Sequence, residues 1–310
     1  MYNMLGVYMK NLLKNCMLCP RNCGINRYLD KGFCKCNNKL KVSLATLYFY
    51  EEPPISGTNG SGTIFFSNCN LKCCYCQNNE ISKKGKGLEL SITRLSEIML
   101  ELQEKKAHNI NLVTPTMYVP QIIKAIIKAK KKGLTIPIIY NCSGYEKKET
   151  IQLLDGLIDV YLPDFKYFND DYGKKYSGVN NYSFYAKESL KEMVKQTGPC
   201  QFNENGLIKK GVIVRHLILP TLYNDSKDIL KYLYETYQDN IYISIMNQYT
   251  PMGNIKYQEL NQPIRKDEYY NIIDYALDLG IKNAFCQEDE TVSESFIPNF
   301  NFDGLKKENI

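Results

Sequence analysis

Cysteine is concentrated near the start of this chain, and that clustering constrains the protein more than any other feature. Nine of the twelve cysteines fall within the first 76 of 310 residues. Most are separated by two or three residues, a spacing that suits metal chelation better than disulfides between distant elements. The chain is too long for a small disulfide scaffold, and its first residues show neither the apolar stretch nor the cleavage site of a secretory signal. We therefore expect metal-binding thiols and a reducing, cytoplasmic location.

The charge of the chain narrows the classes of partner. The formal net charge is +6, and it arises from lysines, since only five of the 39 basic residues are arginines. Nucleic-acid-binding proteins commonly use arginine for bidentate contacts with phosphates and bases. No stretch of 18 consecutive apolar residues is present, so we expect no membrane-spanning helix. The composition favours a solvated, lysine-rich surface and indicates neither a nucleic-acid patch nor a membrane partner.

Predicted strands and helices alternate along most of the chain, which is typical of a parallel α/β fold. The strands are largely apolar, as expected when helices cover both faces of a sheet. No G-x-G-x-x-G follows any strand, so a Rossmann fold has no support. The pattern predicts about six or seven β–α repeats in a partial or open (β/α)6-type TIM-like barrel. Predicted strands cover 62–67, 109–113, 136–140, 157–162, 211–219, 241–246 and 282–286, and predicted helices cover 91–107, 119–133, 146–154, 183–196, 226–237 and 266–280.

Composition divides the chain into three parts. Residues 1–50 contain five cysteines with little core periodicity, and end in a strand over 41–50. They predict a small cysteine-rich module packed on the barrel. Residues 51–290 form the barrel, and residues 291–310 form a C-terminal tail.

Three cysteines, Cys69, Cys73 and Cys76, directly follow the strand predicted over 62–67 with C-x3-C-x2-C spacing. In a β/α barrel the chemistry lies at the carboxyl ends of the strands, so this loop falls at the barrel mouth. Three thiolates on one short loop can ligate three irons of a four-iron cluster and leave the fourth iron open to a small-molecule chelate. A zinc site would need a fourth ligand nearby, and the following QNNEIS offers neither Cys nor His. A reduced structural cysteine group is the remaining alternative.

The loop CNLKCCYC, with Tyr75 before its last cysteine, resembles the signature of the radical S-adenosylmethionine (radical SAM) superfamily. Longer segments, among them EEPPISGTNGSGTIFF, YNCSGYE and VIVRHLILP, are similar to the pyruvate formate-lyase activating enzyme-like group, and within it to the uncharacterised PflX-like branch. The resemblance implies a [4Fe–4S] cluster on the three loop cysteines that reductively cleaves S-adenosylmethionine. The resulting 5′-deoxyadenosyl radical would abstract a hydrogen from a substrate.

The same resemblance implies cofactor contacts for Tyr75 and for polar residues at two strand ends. Thr114 and Thr116 follow the second barrel strand, where many radical SAM enzymes carry a Gly-Gly-Glu stretch that receives the methionine amino group. A tight strand-to-helix connection is the alternative for these threonines. Asn141 and Ser143 follow the third strand and resemble positions that face the cofactor.

Charged residues follow or interrupt the next two strands. Asp164 and Lys166 resemble the Asp-Leu-Lys motif of the activating enzymes, which lies near the cofactor. An acid and a cation at a strand end favour function, and a structural ion pair is the alternative. Arg215 lies inside the apolar strand 211–219 and should be paired or contact a ligand. The resemblance implies a cofactor contact for it.

Four cysteines near the start, Cys16, Cys19, Cys23 and Cys34, resemble the leader of the same branch. Four sulfurs suit one tetrahedral zinc or an auxiliary iron–sulfur cluster, and the sequence leaves that choice open. A structural role is favoured, because a short segment with little core gains most from a metal staple.

The predicted function is that of a radical SAM oxidoreductase of the glycyl-radical-activating kind. Its partners would be an electron donor such as flavodoxin or ferredoxin, and a glycyl radical enzyme whose glycine loses a hydrogen. The first alternative is modification of another peptide, an RNA or a small molecule, and the missing Gly-Gly-Glu stretch keeps it open. The second is a non-catalytic metal-binding protein, against which the loop cysteines together with Asp164, Lys166 and Arg215 argue.

Overall fold

The computed structural model describes residues 9–253, 255–287 and 297–306, and it centres on a ten-stranded sheet. The strands are β1 (Leu40–Tyr48), β2 (Ser61–Phe66), β3 (Leu88–Leu90), β4 (Ile110–Val113), β5 (Ile138–Cys142), β6 (Val160–Pro163), β7 (Gln201–Phe202), β8 (Ile208–Leu217), β9 (Tyr242–Met246) and β10 (Ala284–Cys286). The helices are Pro53–Ser56, Asn79–Ser82, Ile92–Glu104, Val119–Lys131, Lys148–Gln152, Asp170–Ser177, Tyr182–Thr197, Tyr223–Tyr237 and Lys266–Asp278. Residues 9–14 are also helical.

The sheet is mostly parallel and open. Its order is β10-β9-β8-β6-β5-β4-β2-β1-β3, with β7 paired to β8. The strands from β10 through β2 in this order pair in parallel, whereas β1 pairs antiparallel with both β2 and β3. Because β10 and β3 form the two edges, the strands do not close into a complete barrel. The predicted α/β class with an open, mostly parallel sheet is confirmed.

Burial of the central strands explains why their sequences lack alternation. Every residue of β2, β4, β5 and β6 is buried, as expected for parallel strands that helices cover on both faces. Since these strands are parallel, their carboxyl ends share one edge of the sheet, and the loops that follow them meet there. None of the helices within the described residues combines the length and the apolar character needed to cross a membrane.

One strand begins later than predicted. The sequence places a strand over 136–140, but β5 starts two residues further on, after Pro137. Proline has no N–H to donate to the ladder, so the regular pairing begins beyond it. β5 also ends two residues later than predicted, so Asn141 is part of β5 rather than of the following loop, and pairs with β6.

The helix Asp170–Ser177 and the short strands β3 and β7 are not predicted from the sequence. The helix is only eight residues long and largely polar, so apolar periodicity gives too little signal to reveal it. Local signals define it instead. The Asn169 side chain accepts a hydrogen bond from the Asp171 backbone N–H at 2.9 Å, and Gly178 ends the helix in the left-handed conformation at φ 61°.

Segments near both ends of the described chain lie close to β1. The N-terminal segment 1–50 contributes β1 as well as its cysteines. From the C-terminal segment, the Asp303 carbonyl accepts from the Ala45 backbone N–H at 3.1 Å, and the Leu305 carbonyl accepts from Arg94 Nε at 3.0 Å. Of the predicted tail, residues 291–296 and 307–310 lie outside the described residues.

Candidate active site

The cysteine loop, residues 69–76, leaves the carboxyl end of β2 and is held by backbone hydrogen bonds. The Lys72 N–H donates to the Ser177 carbonyl at 3.2 Å, and the Cys74 N–H donates to the Tyr176 carbonyl at 2.8 Å. Both carbonyls belong to the helix Asp170–Ser177, so this helix supports the cysteine loop.

Each of the three predicted ligands has a hydrogen-bonding partner for its sulfur. Cys69 Sγ accepts from the backbone N–H two residues later at 3.3 Å. The Ser177 hydroxyl donates to Cys73 Sγ at 2.9 Å. Cys76 Sγ lies 3.2 Å from the Ser82 hydroxyl. The loop thiols are thus fixed in orientation by their surroundings.

Burial and mutual proximity disfavour deprotonation of the loop thiols when no cation is bound. Burial raises the pKa of Cys69, and the neighbouring thiols of Cys73 and Cys76 raise it further. Burial also raises the pKa of Cys73, with Lys166 opposing and Cys76 adding to the shift. Three thiolates on one loop repel one another, and a metal cluster would supply the positive charge that stabilises their deprotonated forms.

The cysteine loop forms one wall of a cavity of about 220 Å³ at the carboxyl ends of the parallel strands. Aromatic side chains, including Tyr48, Tyr50 and Tyr249, form part of its lining. Cys69 is not among the lining residues. The sequence-predicted residues that line it are Cys73, Tyr75, Cys76, Asn141, Asp164, Lys166 and Arg215.

Arg215 lies at the centre of a buried network of charges opposite the loop. Its Nη1 lies 3.1 Å from Glu51 Oε2, its Nε lies 3.2 Å from Asp164 Oδ1, and its Nη2 donates to Asn141 Oδ1 at 2.7 Å. Asp164 Oδ2 accepts from Lys166 Nζ at 2.7 Å. Two acids and two cations from three separate parts of the chain are therefore gathered in one cavity wall.

The ion pairs decide the charge states in this network. Burial would raise the pKa of Asp164, but Lys166 and Arg215 outweigh it and hold that pKa below its usual value. Burial would lower the pKa of Lys166 and of Arg215, but the neighbouring carboxylates raise both. Burial raises the pKa of Glu51 to about 7, although Arg215 opposes the shift. Near neutral pH the cavity wall thus presents a carboxylate between two cations.

Three predicted cofactor contacts lie outside the cavity lining. The Thr116 hydroxyl donates to the carboxylate of the buried Glu146 at 2.6 Å, because a carboxyl group in the core needs donors. Thr114 directly follows β4 in the left-handed conformation at φ 59°, and its backbone N–H donates to a carbonyl of β5. Ser143 Oγ lies 3.5 Å from Asn70 Oδ1. A cofactor contact for these three residues stays a prediction.

The N-terminal cysteines lie near one another. A Cβ on Gly32 would lie 3.6 Å from Cys23 Sγ and 3.7 Å from Cys34 Sγ, so these sulfurs flank one glycine. Burial raises the pKa of Cys19 to about 12, and the nearby Cys34 and Cys16 contribute. Across the described ranges, no three or more His, Cys, Asp or Glu side chains are gathered in an arrangement that could hold a metal ion. The ligand roles of both cysteine sets stay predictions.

Arg21, which the sequence reasoning does not single out, joins the N-terminal segment to the cysteine loop. It stands between Cys19 and Cys23, and its Nε donates to the Asn70 carbonyl at 2.9 Å. Its Nη1 donates to the Gly178 carbonyl at 2.6 Å. The guanidinium also lies over an aromatic ring, 3.7 Å from its centroid. The one feature of the sequence that could have indicated a role for Arg21 is its position between Cys19 and Cys23, two of the candidate ligands.

Glu51 is the second residue that the sequence reasoning does not single out. It follows β1, and its side chain is 7% exposed. Its Oε1 accepts from Asn111 Nδ2 at 2.8 Å, in addition to the contact of Oε2 with Arg215. A buried arginine in a strand requires carboxylate partners, and the Glu-Glu-Pro-Pro segment was a possible source of one.

Comparisons with known proteins identify the family to which this chain is similar. A model of the radical SAM superfamily matches residues 63–233. An uncharacterized protein of Methanocaldococcus jannaschii is 30% identical over 285 residues, which cover 88% of this chain and 76% of that protein. A pyruvate formate-lyase-activating enzyme of Clostridium pasteurianum is 27% identical over 214 residues, which cover 67% of this chain and 82% of that enzyme.

Solved structures share the fold. The Streptococcus suis protein SuiB bound to S-adenosylmethionine has a TM-score of 0.51 at 14% identity, covering 72% of this chain and 49% of that one. This chain therefore spans about half of SuiB. A radical SAM methyltransferase from Sphaerobacter thermophilus also has a TM-score of 0.51, at 12% identity over 73% of this chain and 66% of that one. At such identities the likeness concerns the fold alone.

Proposed function

Because the chain belongs to the radical SAM superfamily, whose members use a [4Fe–4S] cluster and S-adenosylmethionine, we propose that Cys69, Cys73 and Cys76 hold such a cluster. The observation that carries the proposal is the cavity whose walls are the cysteine loop and the Arg215 network. When bound, the cluster would supply one electron for reductive cleavage of the S–C5′ bond of S-adenosylmethionine, and the resulting 5′-deoxyadenosyl radical would take a hydrogen atom from the substrate.

The cavity walls suit a small molecule that carries an ammonium and a carboxylate. Asp164 supplies an acceptor for the ammonium, while Lys166 and Arg215 supply donors for the carboxylate. Asn141 orients Arg215 through its 2.7 Å hydrogen bond. Tyr75 is buried and its hydroxyl lies 2.6 Å from that of Tyr167, so its ring is held in the cavity wall.

The aromatic lining serves a second purpose, the exclusion of water. A carbon radical reacts with whatever hydrogen donor it meets, so the site must admit the substrate and little else. Tyr48, Tyr50 and Tyr249 lie along the same cavity as the charged wall. Tyr249 is buried, whereas Tyr50 is 57% exposed and marks the open side of the cavity.

For the substrate we propose a glycine of a partner protein. A hydrogen atom would leave the glycine Cα, join C5′ to give 5′-deoxyadenosine, and leave a glycyl radical. The similarity to a pyruvate formate-lyase-activating enzyme over 67% of this chain supports this choice. An exposed loop must reach the cavity for this reaction, and the open side at Tyr50 gives it access.

For residues 1–50 we propose a metal-bound module packed on the barrel, which occupies residues 51–290, with residues 291–310 as a tail. The metal would be one zinc or an auxiliary iron–sulfur cluster on Cys16, Cys19, Cys23 and Cys34. Contacts with the barrel support the packing, since the Thr150 hydroxyl donates to a carbonyl of the module at 2.7 Å. All twelve cysteines are free thiols, which suits a reducing cytoplasm.

A pair of adjacent cysteines tests the cluster assignment. Cys73→Ala should lose most of the iron and the visible absorption that anaerobic reconstitution produces. Cys74→Ala is the matched control and should retain both, because Cys74 is the cysteine of the loop that is not proposed as a ligand. Equal iron content in the two variants would refute the assignment.

Electron paramagnetic resonance tests the proposed substrate. The reduced protein and S-adenosylmethionine would be mixed with candidate glycyl radical enzymes, and the doublet signal of a glycyl radical sought. A signal that appears with the wild type and not with Cys73→Ala supports the activase function. If 5′-deoxyadenosine forms and no candidate acquires a radical, another peptide, an RNA or a small molecule becomes the favoured substrate.

A further inference from the structure

A second concave surface, apart from the cofactor cavity, lies beside the start of the cysteine loop. It is a depression of about 180 Å³, and Cys36, Asn68 and Tyr118 contribute to its lining. No residue lines both this depression and the cofactor cavity. The charged residues that line the depression are Lys31, Lys35, Lys39, Lys41, Lys84 and Glu89. We call it the lysine depression.

The lysine depression is far more basic than the chain as a whole. Five lysines and one glutamate line it, whereas the chain has 39 basic and 33 acidic residues. Lys39 pairs with Glu89 at 2.8 Å, and Lys84 pairs with Glu80 at 3.1 Å. Both pairs are largely exposed and therefore bind weakly.

Two further lysines donate hydrogen bonds to backbone carbonyls, which do not neutralise the lysine charge. Lys35 Nζ donates to the Lys83 carbonyl at 3.4 Å, and Lys41 Nζ donates to the Gly85 carbonyl. A carbonyl orients an ammonium without neutralising it. The depression therefore presents a positive field to any molecule that approaches this face.

The lysine depression adjoins the proposed cluster ligands. Asn68, part of its lining, immediately precedes Cys69 in the chain. Lys83, which holds Lys35 through its carbonyl, reaches the loop with its own Nζ, 3.4 Å from the Cys74 carbonyl. A protein seated on the depression would thus be close to the cysteine loop while leaving the cofactor cavity open.

We infer that the lysine depression docks the electron donor, an acidic protein that carries one electron. The inference rests on the proposed function, because only a cluster that must be reduced needs such a donor. In the step, the carrier loses one electron and the cluster gains one, and no bond is made or broken. Charge complementarity steers the acidic carrier to the depression, and the adjacent loop keeps the transfer distance short.

Charge reversal tests the inference on the reconstituted full-length protein. In the first variant Lys31, Lys39 and Lys84 are replaced, as Lys31→Glu, Lys39→Glu and Lys84→Glu together. The matched control is Lys130→Glu, Lys131→Glu and Lys132→Glu, which changes the net charge equally. These control lysines lie where the helix Val119–Lys131 ends, at the opposite end of the strands from the cysteine loop.

Formation of 5′-deoxyadenosine is measured with two reductants, dithionite and a reduced acidic flavodoxin below saturation. With flavodoxin, the depression variant should be slower than the wild type by about tenfold or more at low salt, and the control variant should change less than about twofold. With dithionite, all three proteins should have equal rates. The flavodoxin-driven rate of the wild type should also fall steeply as ionic strength rises.

An unchanged flavodoxin-driven rate in the depression variant would overturn the inference, as would an equal loss in the control variant. An RNA oligonucleotide that binds the wild type and not this variant, with an unchanged flavodoxin-driven rate, would assign the surface to nucleic acid instead. If the triple variant loses activity with dithionite, the single variants Lys31→Glu and Lys84→Glu replace it in the same comparison. Absence of product from the wild type with dithionite would refute the proposed function itself. This result is distinct from failure of the docking inference, in which the wild type still forms product with dithionite.

Discussion

The Arg215 guanidinium lies 3.1 Å from the Glu51 carboxylate, although 164 residues separate the two in the chain. The Arg215 side chain is 17% exposed and that of Glu51 is 7% exposed. The two charged groups are largely buried next to each other, so removal of one side chain leaves the charge of the other without this partner in the cavity wall. The pair therefore links the connection after β1 to the far side of the cavity.

Removal of the Glu51 side chain should destabilise the protein. Glu51→Ala is expected to lower the free energy of unfolding by about 3 kcal/mol, because it leaves Arg215 with one fewer buried carboxylate. Glu51→Gln should cost less, since it retains hydrogen-bonding groups of the same shape. Urea denaturation measures both effects. Glu80→Ala, at an exposed pair with Lys84, is the control and should leave the urea midpoint unchanged.

Gly144 should not tolerate a side chain. A Cβ at this position would lie 2.1 Å from the Asp164 carbonyl oxygen, and the backbone is in the left-handed region at φ 74°. Gly156 has a similar φ of 72°, but a Cβ at that position would have no atom within 4 Å. Gly156→Ala should therefore cost only the backbone strain, about 1–2 kcal/mol. Gly144→Ala should lower the melting temperature much more, and equal shifts in the two variants would contradict this account.

Glu146 should make stability depend on pH. It is fully buried, and its carboxylate accepts from the Thr116 hydroxyl at 2.6 Å and from the Tyr140 hydroxyl at 3.3 Å. Burial outweighs these hydrogen bonds and raises the pKa of Glu146 from 4.5 to about 8. In this interval the folded protein holds a proton that the unfolded chain has released, so the free energy of unfolding falls as pH rises.

Replacement of Glu146 isolates this contribution. Glu146→Gln cannot titrate, so its stability relative to the wild type should increase between about pH 5 and about pH 8. Urea unfolding at several pH values in this range gives the comparison. Parallel stability curves for the two proteins would show that Glu146 has an ordinary pKa in the folded state.

Arg21 should control how firmly the cysteine loop holds iron. Its side chain connects the N-terminal segment to the Asn70 and Gly178 carbonyls. Arg21→Ala should therefore increase the rate at which a chelator removes iron from the reconstituted loop, by several-fold. Arg265→Ala is the control, because the acids with which Arg265 pairs, Asp267 and Glu268, lie in the helix that directly follows it. Identical iron loss in the two variants would remove this positioning role.

The sequence predicts those parts of the site whose reactive or charged residues lie close together in the chain. Closely spaced cysteines after a strand, and charged residues such as Asp164 and Lys166 at the next strand ends, indicate a ligand on their own. The apolar strand around Arg215 similarly predicts that its charge must be paired, and the structure pairs it with Asp164 and Glu51.

The remaining contacts depend on distances between residues that are far apart in the chain. The sequence around Glu51 does not indicate its contact with Arg215, because the antiparallel pairing of β1 creates that contact. In the same way, the packing of the N-terminal segment creates the contact between Arg21 and Asn70. Thr116 is the converse case. Its position after a strand suggests a cofactor contact, but the hydroxyl donates to Glu146, whose burial no local pattern predicts.

Formation of 5′-deoxyadenosine tests the central claim most directly. The full-length protein would be reconstituted anaerobically until it holds at least about four iron atoms per chain. It would then be reduced with dithionite in the presence of S-adenosylmethionine, and the products separated by chromatography. We expect 5′-deoxyadenosine from the wild type and none from Cys73→Ala. Absence of this product from wild-type protein with a full complement of iron would contradict the account.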